Sequence, residues 1–243
     1  MPSTVASLFA ATKVERHGVV AWGERIPQLR SGPGTGVYVV AVTDDPDRLN
    51  AAFATCPLSS AAIEELLKVR HKELKVDGRP PDAAELAARV AGFWCPDEVV
   101  LYVGCAGPRQ KISVSELSDR VAEYYTTALG ARSPHAGGWP LKTLATLAEL
   151  HVHYGYCSDY KTAETRMLDR FAKQLSGDTR ETLYDSTFVM PFANLEDGHG
   201  RRKRHGIKGA RAPKNAGPAP PAARSPTPPP PVQTAPHSQA QTR

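Results

Sequence analysis

The chain has 243 residues, and a proline-rich end leaves about 195 that can bury a core, enough for one ordinary domain with an insertion. Its net charge of +5 is unevenly spread, since nine Lys or Arg stand against one Asp from Asp197 onward, which leaves residues 1–196 near −3. No apolar run approaches the roughly 18–20 residues that cross a bilayer, and four scattered cysteines without a CxxC pair outline neither a disulfide framework nor a zinc site, so a reducing, cytoplasmic setting is expected.

Residues 1–35 read as an N-terminal extension with a short apolar stretch. GVYVVAV (Gly36 to Val42) is a β-branched, aromatic run bounded by SGPGT and DDPD, and it reads as a buried strand. A structureless connection from there to the next strand would be improbably long. Two helical patterns fill it: SSAAIEELLKVR, capped by Ser59 or Ser60, and PDAAELAARVAGFW, begun by Pro81 and Asp82. Residues of about 44–97 are therefore expected as a helical insertion.

VVLYVGC (Val99 to Cys105) reads as the second strand. SVSELSDRVAEYYTTAL follows as a helix capped by Ser113 or Ser115. ELHVHYGYC (Glu149 to Cys157) reads as a third strand, whose alternation sets His151 and His153 on one face and Val152 and Tyr154 on the other. SDYKTAETRMLDRFAKQL is a helix with an apolar stripe of Ala163, Met167, Leu168 and Phe171. The fold class expected is α/β (α+β): a small three-stranded mixed or antiparallel sheet flanked by helices, spanning residues 36–196. Residues 197–214 form a basic segment, and 215–243 a Pro-rich tail that cannot bury enough apolar surface to order itself.

Gly36-Val37-Tyr38 and Tyr102-Val103-Gly104 on adjacent strands resemble the two tripeptides that name the GIY-YIG nuclease family. Later elements of the family pattern follow in order. SDRVAEYY offers Arg120 one turn before Tyr124 on the same helix face. TAETRMLDRF offers Glu164, and VMPFANLE offers Asn194. The resemblance covers about Gly36 to Glu196, interrupted by the insertion. It is nearest to a bacterial branch with FW-PDE (Phe93 to Glu98), HAGG (His135 to Gly138) and a K/R-HGI end (Arg204 to Ile207). Cys105 departs from the Lys or Ser that many members carry after the second tripeptide.

The resemblance implies a metal-dependent endonuclease that hydrolyses phosphodiester bonds in nucleic acid, with DNA the expected substrate. Such chemistry needs an activated water, charge stabilisation at phosphorus and help for the departing oxygen. Glu164 would be the metal ligand, a hard oxygen suited to Mg²⁺, with Mn²⁺ able to substitute. Arg120 would present its planar fork to a phosphate oxygen. Tyr38 or Tyr102 would act on the water, with Tyr38 slightly favoured, and a phenol with its usual pKa of about 10 needs a downward shift to do so. Tyr124 and Asn194 would orient water, substrate or Tyr38.

Nucleic-acid contacts are expected from His135, which is equally well a turn residue beside Gly137 and Gly138, and from Arg201, Arg202, Lys203, Arg204 and Lys208. The basic segment is expected to supply much of the non-specific attraction, because the body is acidic. Trp94 and Trp139 read as hydrophobic anchors. A catalytically silent nucleic-acid-binding module, or an interaction protein docking through its Pro-rich end, are the other readings. Binding alone does not require a carboxylate in the place of Glu164.

Overall fold

The computed structural model describes residues 2–28, 32–49, 53–108, 116–133 and 137–212. At its centre, strands β1 (Gly18–Ala21), β2 (Gly36–Ala41), β4 (Val100–Ala106) and β5 (His151–Tyr156) form one antiparallel sheet in the spatial order β1-β5-β2-β4. A separate ribbon pairs β3 (Lys75–Val76) with β6 (Ile207–Lys208).

The central sheet thus has four strands where three were expected. The additional strand comes from the stretch read as an N-terminal extension. Val19 and Val20 lie opposite His153 and Val152, and the half-buried β1 closes the edge that β5 would otherwise leave open.

Every residue of β2 is buried because helices cover both sheet faces. Val37, Val39 and Val103 point towards α1 (Val5–Ala10) and α5 (Tyr160–Gln174), where they pack with Leu8, Met167 and Phe171. Tyr38, Val40, Tyr102, Val152 and Tyr154 point the other way. There they meet α4 (Glu116–Thr126) and the insertion helices α2 (Ser60–Arg70) and α3 (Ala83–Ala91) through Ile63, Leu66, Leu86, Leu117 and Val121. Trp94 and Trp139 are buried in this second core.

The insertion helices begin where their side chains can satisfy the free N–H groups of the first turn. Ser59 accepts from the Ala62 N–H, and Asp82 and Glu85 form a reciprocal capping box. The caps proposed for α4, Ser113 and Ser115, fall outside the described residues.

The basic segment is not a free arm over its described part. Residues up to 212 fold back on the body: β6 pairs with β3, Ile207 and Ala210 are buried, and Arg70 Nε donates to the Gly209 carbonyl at 3.0 Å. Arg89 reaches the His205 carbonyl at 3.3 Å while its Nη1 bonds Asp77 at 2.9 Å. The insertion therefore holds the C-terminal segment in place. The Pro-rich stretch 215–243 lies outside the described residues. No helix among the described residues is long and apolar enough to cross a membrane.

Candidate active site

The two tripeptides meet in the pairing of β2 with β4, where Tyr38 stands opposite Gly104 and Val40 opposite Tyr102. A Cβ on Gly104 would come within 2.6 Å of Tyr38 Cζ and 2.8 Å of Tyr102 Cε1. Only glycine lets the two rings pass over the strand, and their centroids lie 5.9 Å apart.

Helix α4 adds Tyr124, whose ring centroid is 5.4 Å from that of Tyr102. Its hydroxyl donates to the Gly138 carbonyl at 2.6 Å. Gly138 has φ of 64°, and a Cβ there would collide with that hydroxyl, so the residue is tied to glycine by conformation and by space. Tyr38, Tyr102 and Tyr124 form a row with Tyr102 in the middle. Tyr38 is only 1% exposed, whereas Tyr102 reaches the wall of a cleft.

The cleft lies beside β4, the outer strand of the sheet, and has a volume of about 490 Å³. Groups from both faces converge there. Tyr102 comes from one, and Glu164, in the second turn of α5, comes from the other. Glu164 Oε2 accepts a hydrogen bond from the Cys105 thiol at 3.0 Å. Asn194 underlies them, with Oδ1 accepting from Val103 N–H at 2.9 Å and Nδ2 donating to Val103 C=O at 2.8 Å. It takes the place of a neighbouring strand on the open edge of β4, and the Ala193 N–H continues the pairing to the Leu101 carbonyl. Asn194 thereby ties down the edge of β4 at Val103.

Burial dominates the electrostatics. It raises the Tyr38 hydroxyl well above the usual phenol range, with Tyr102 and Tyr124 adding to the shift and Arg120 opposing it. Tyr102 is raised by burial and then by Glu164, and is lowered by Arg120 and by its hydrogen bond with Tyr38. Both phenols are protonated at neutral pH, contrary to the lowered value that a base requires. Glu164 is also raised by burial, with the Cys105 thiol and Arg120 acting against it. The Cys105 thiol is raised by burial and then by Glu164.

Arg120 thus acts on Tyr38, Tyr102 and Glu164 together, although its guanidinium is one-third exposed and lies 3.8 Å from Glu123. Arg120, Tyr38 and Tyr124 are not among the residues that line the cleft.

Arg132, Arg202 and Arg211 also line the cleft. Sequence reasoning missed Arg132 altogether and counted Arg211 only as part of a basic tail. The hydrogen bond from Ala212 N–H to the Gly130 carbonyl, at 3.0 Å, brings the two together, and no local pattern reveals a contact of that range.

The basic residues expected to meet nucleic acid have separate fates. Lys203 is turned inward: its Nζ donates to the carbonyls of Pro191 and Phe192, both at 3.0 Å, and burial lowers its pKa to about 8. It fastens the chain to the body and is withdrawn from solvent. Arg201 pairs with Asp197 at 2.6 Å, and Arg202 with Glu196 at 3.0 Å. Arg204 lies over the Phe188 ring, and Lys208 is exposed on the β3–β6 ribbon. His135 lies outside the described residues.

Among the described residues no group of three or more His, Cys, Asp or Glu gathers into a metal cage. His153 is fully buried, with Nε2 2.8 Å from the Thr43 carbonyl. Glu164 offers a single carboxylate at the cleft, and Mg²⁺ retains several waters and takes only one or two carboxylates. An open cleft leaves space for those waters, and a carboxylate whose charge is penalised by burial gains from a cation beside it.

No protein-family model matches the chain, and comparisons with curated proteins and with solved structures find no match either.

Proposed function

We propose that the chain is a metal-dependent endonuclease of the GIY-YIG type, acting in the cytoplasm on phosphodiester bonds of nucleic acid, with DNA the expected substrate. The observation that carries this reading is the meeting of Tyr102 and Glu164 in one cleft that Arg132, Arg202 and Arg211 also line. A carboxylate and a phenol face the reacting group, and cations face the strand that bears it.

Glu164 would hold Mg²⁺, or Mn²⁺ in its place, and the bound ion supplies positive charge that stabilises the phosphate and departing oxygens and offsets the carboxylate charge now raising Tyr102. Arg120 works in the same direction, favouring the phenolate of Tyr102 and the ionised form of Glu164. Tyr102, which reaches the cleft, is assigned to the attacking water in preference to Tyr38. Once its own proton has passed to solvent, the Tyr102 phenolate would accept the water's proton as the water oxygen bonds to phosphorus, the P–O3′ bond breaks and the departing 3′ oxygen takes a proton from solvent. Lowering a phenol by two to three pH units corresponds to roughly 3–4 kcal/mol, a demand that grows when burial has first raised it. Tyr38, hydrogen-bonded to Tyr102, and Tyr124, tied to Gly138, fix the ring.

Purified protein incubated with supercoiled plasmid and with labelled DNA and RNA oligonucleotides tests the reading. Cleavage is expected with Mg²⁺ or Mn²⁺ and none with chelator. Intact substrates throughout would contradict it.

A further inference from the structure

The arginines that line the cleft come from distant parts of the chain. Arg132 lies beyond the end of α4, whereas Arg202 and Arg211 belong to the C-terminal segment. That segment is held from behind: Arg70 donates to the carbonyls of Gly209 at 3.0 Å and Arg211 at 3.4 Å, and Ala212 bonds Gly130. The backbone contacts fix Arg211 and leave its guanidinium to the cleft.

Of the three arginines in the cleft, Arg202 is paired by Glu196. Glu196 and Asp197 also line it, but they are engaged by Arg202 and Arg201. The side chains of Arg132 and Arg211 make no ion pair among the described residues. Burial, followed by Arg132 and Arg202, holds the Arg211 guanidinium below its usual range, with Glu196 opposing. His205, another lining group, is lowered to about 4 by burial and its cationic neighbours, so it adds no charge at neutral pH. Gathering like charges costs stability unless an anion offsets them, and the guanidinium fork is suited to phosphate oxygens.

We propose that Arg132 and Arg211, flanked by Arg202, form a phosphate subsite that holds a backbone phosphate of the nucleic-acid strand next to the one cleaved at Glu164 and Tyr102. The proposal rests on the endonuclease reading for its substrate class. It assigns the insertion a task as well, since α2 and α3 carry Arg70 and Arg89, which fasten the segment bearing Arg202 and Arg211.

The test uses full-length protein with Glu164→Gln, so that a fluorescent DNA duplex survives, and follows its binding by anisotropy across a salt series. Adding Arg132→Gln and Arg211→Gln should weaken binding about tenfold or more, and should reduce the slope of log K against log salt by about 1.8 for two lost phosphate contacts. Lys68→Gln with Lys72→Gln, two exposed lysines off the cleft, serves as the control for net charge. Equal effects of the two pairs would overturn the subsite.

Should the Gln pair fail to fold, Arg132→Lys with Arg211→Lys decides: it keeps the charge and loses the fork, so affinity should fall several-fold with the slope retained. Unchanged affinity would overturn the proposal. Cleavage by the chain with native Glu164 separates the two ideas. A cleaving protein indifferent to the arginine pair refutes the subsite alone; a protein that cleaves nothing but binds through the pair retains the subsite and loses the nuclease reading.

Discussion

The Cys105 thiol donates to Glu164 Oε2 at 3.0 Å, so the residue that departs from the family pattern touches the carboxylate to which the metal role is assigned. A thiol is a weak donor, and it nonetheless favours the ionised carboxylate that a cation needs. Cys105→Ala should raise the Mg²⁺ concentration for half-maximal cleavage several-fold, consistent with loss of about 1 kcal/mol for one modest hydrogen bond. Cys105→Ser should restore most of the affinity. A magnesium titration of both variants checks this, and equal half-saturation in wild type and Cys105→Ala would show the contact to be idle.

Asn194 satisfies both backbone groups of Val103 on the open edge of β4. Asn194→Ala leaves a buried N–H and a buried C=O without those partners, at about 1–3 kcal/mol for each group. Urea unfolding should therefore show a loss of about 2–6 kcal/mol. Full stability with reduced cleavage would instead place Asn194 in direct contact with water or substrate.

Glu98 provides a pH signature remote from the cleft. Burial raises its pKa to about 7, opposed by the Ser3 N–H that donates to its carboxylate at 2.9 Å. The folded state therefore binds this proton more tightly than the unfolded state, and its contribution to stability is lost as pH rises through the window from about 4.5 to about 7. The loss is on the order of 3 kcal/mol. Glu98→Gln should flatten the stability profile over that window. Parallel profiles for the two proteins from denaturant melts would refute the assignment.

Truncation separates a tail from a structural strap. Ending the chain at residue 212 retains Lys203, Ile207 and Ala210, which are buried, whereas ending it at 197 removes them. The shorter chain should lose at least about 3 kcal/mol, since Ile207 alone is worth roughly 2–3 kcal/mol of apolar burial. Thermal melting compares the two, and equal midpoints would return residues 198–212 to the status of a free arm.

Much of the sheet was legible because its strands announce themselves: GVYVVAV, VVLYVGC and HVHYGYC are β-branched, aromatic runs with turn residues at their ends. The convergence of Tyr102 and Glu164 could be anticipated only through motif order, since β4 and α5 are far apart in sequence. Strand β1 escaped notice because Val19 and Val20 are its only β-branched residues, and its stability comes from pairing with β5. The inward turn of the C-terminal segment is not legible in the sequence because composition reports charge and not partners. Lys203 looks like a surface cation until the Pro191 and Phe192 carbonyls are found around it. The choice between the tyrosines was equally hidden, since depth behind Gly104 and Gly138 determines which ring meets the cleft.

The most direct test of the central claim is the rate of plasmid nicking by wild type and by Glu164→Gln at saturating Mg²⁺, with DNA binding measured alongside. The isosteric amide keeps the shape and removes the charge that holds a divalent ion. The account predicts a fall in rate of at least about a hundredfold, with binding and fold retained. Cleavage by Glu164→Gln at the wild-type rate, or no cleavage by the wild type itself, would contradict it.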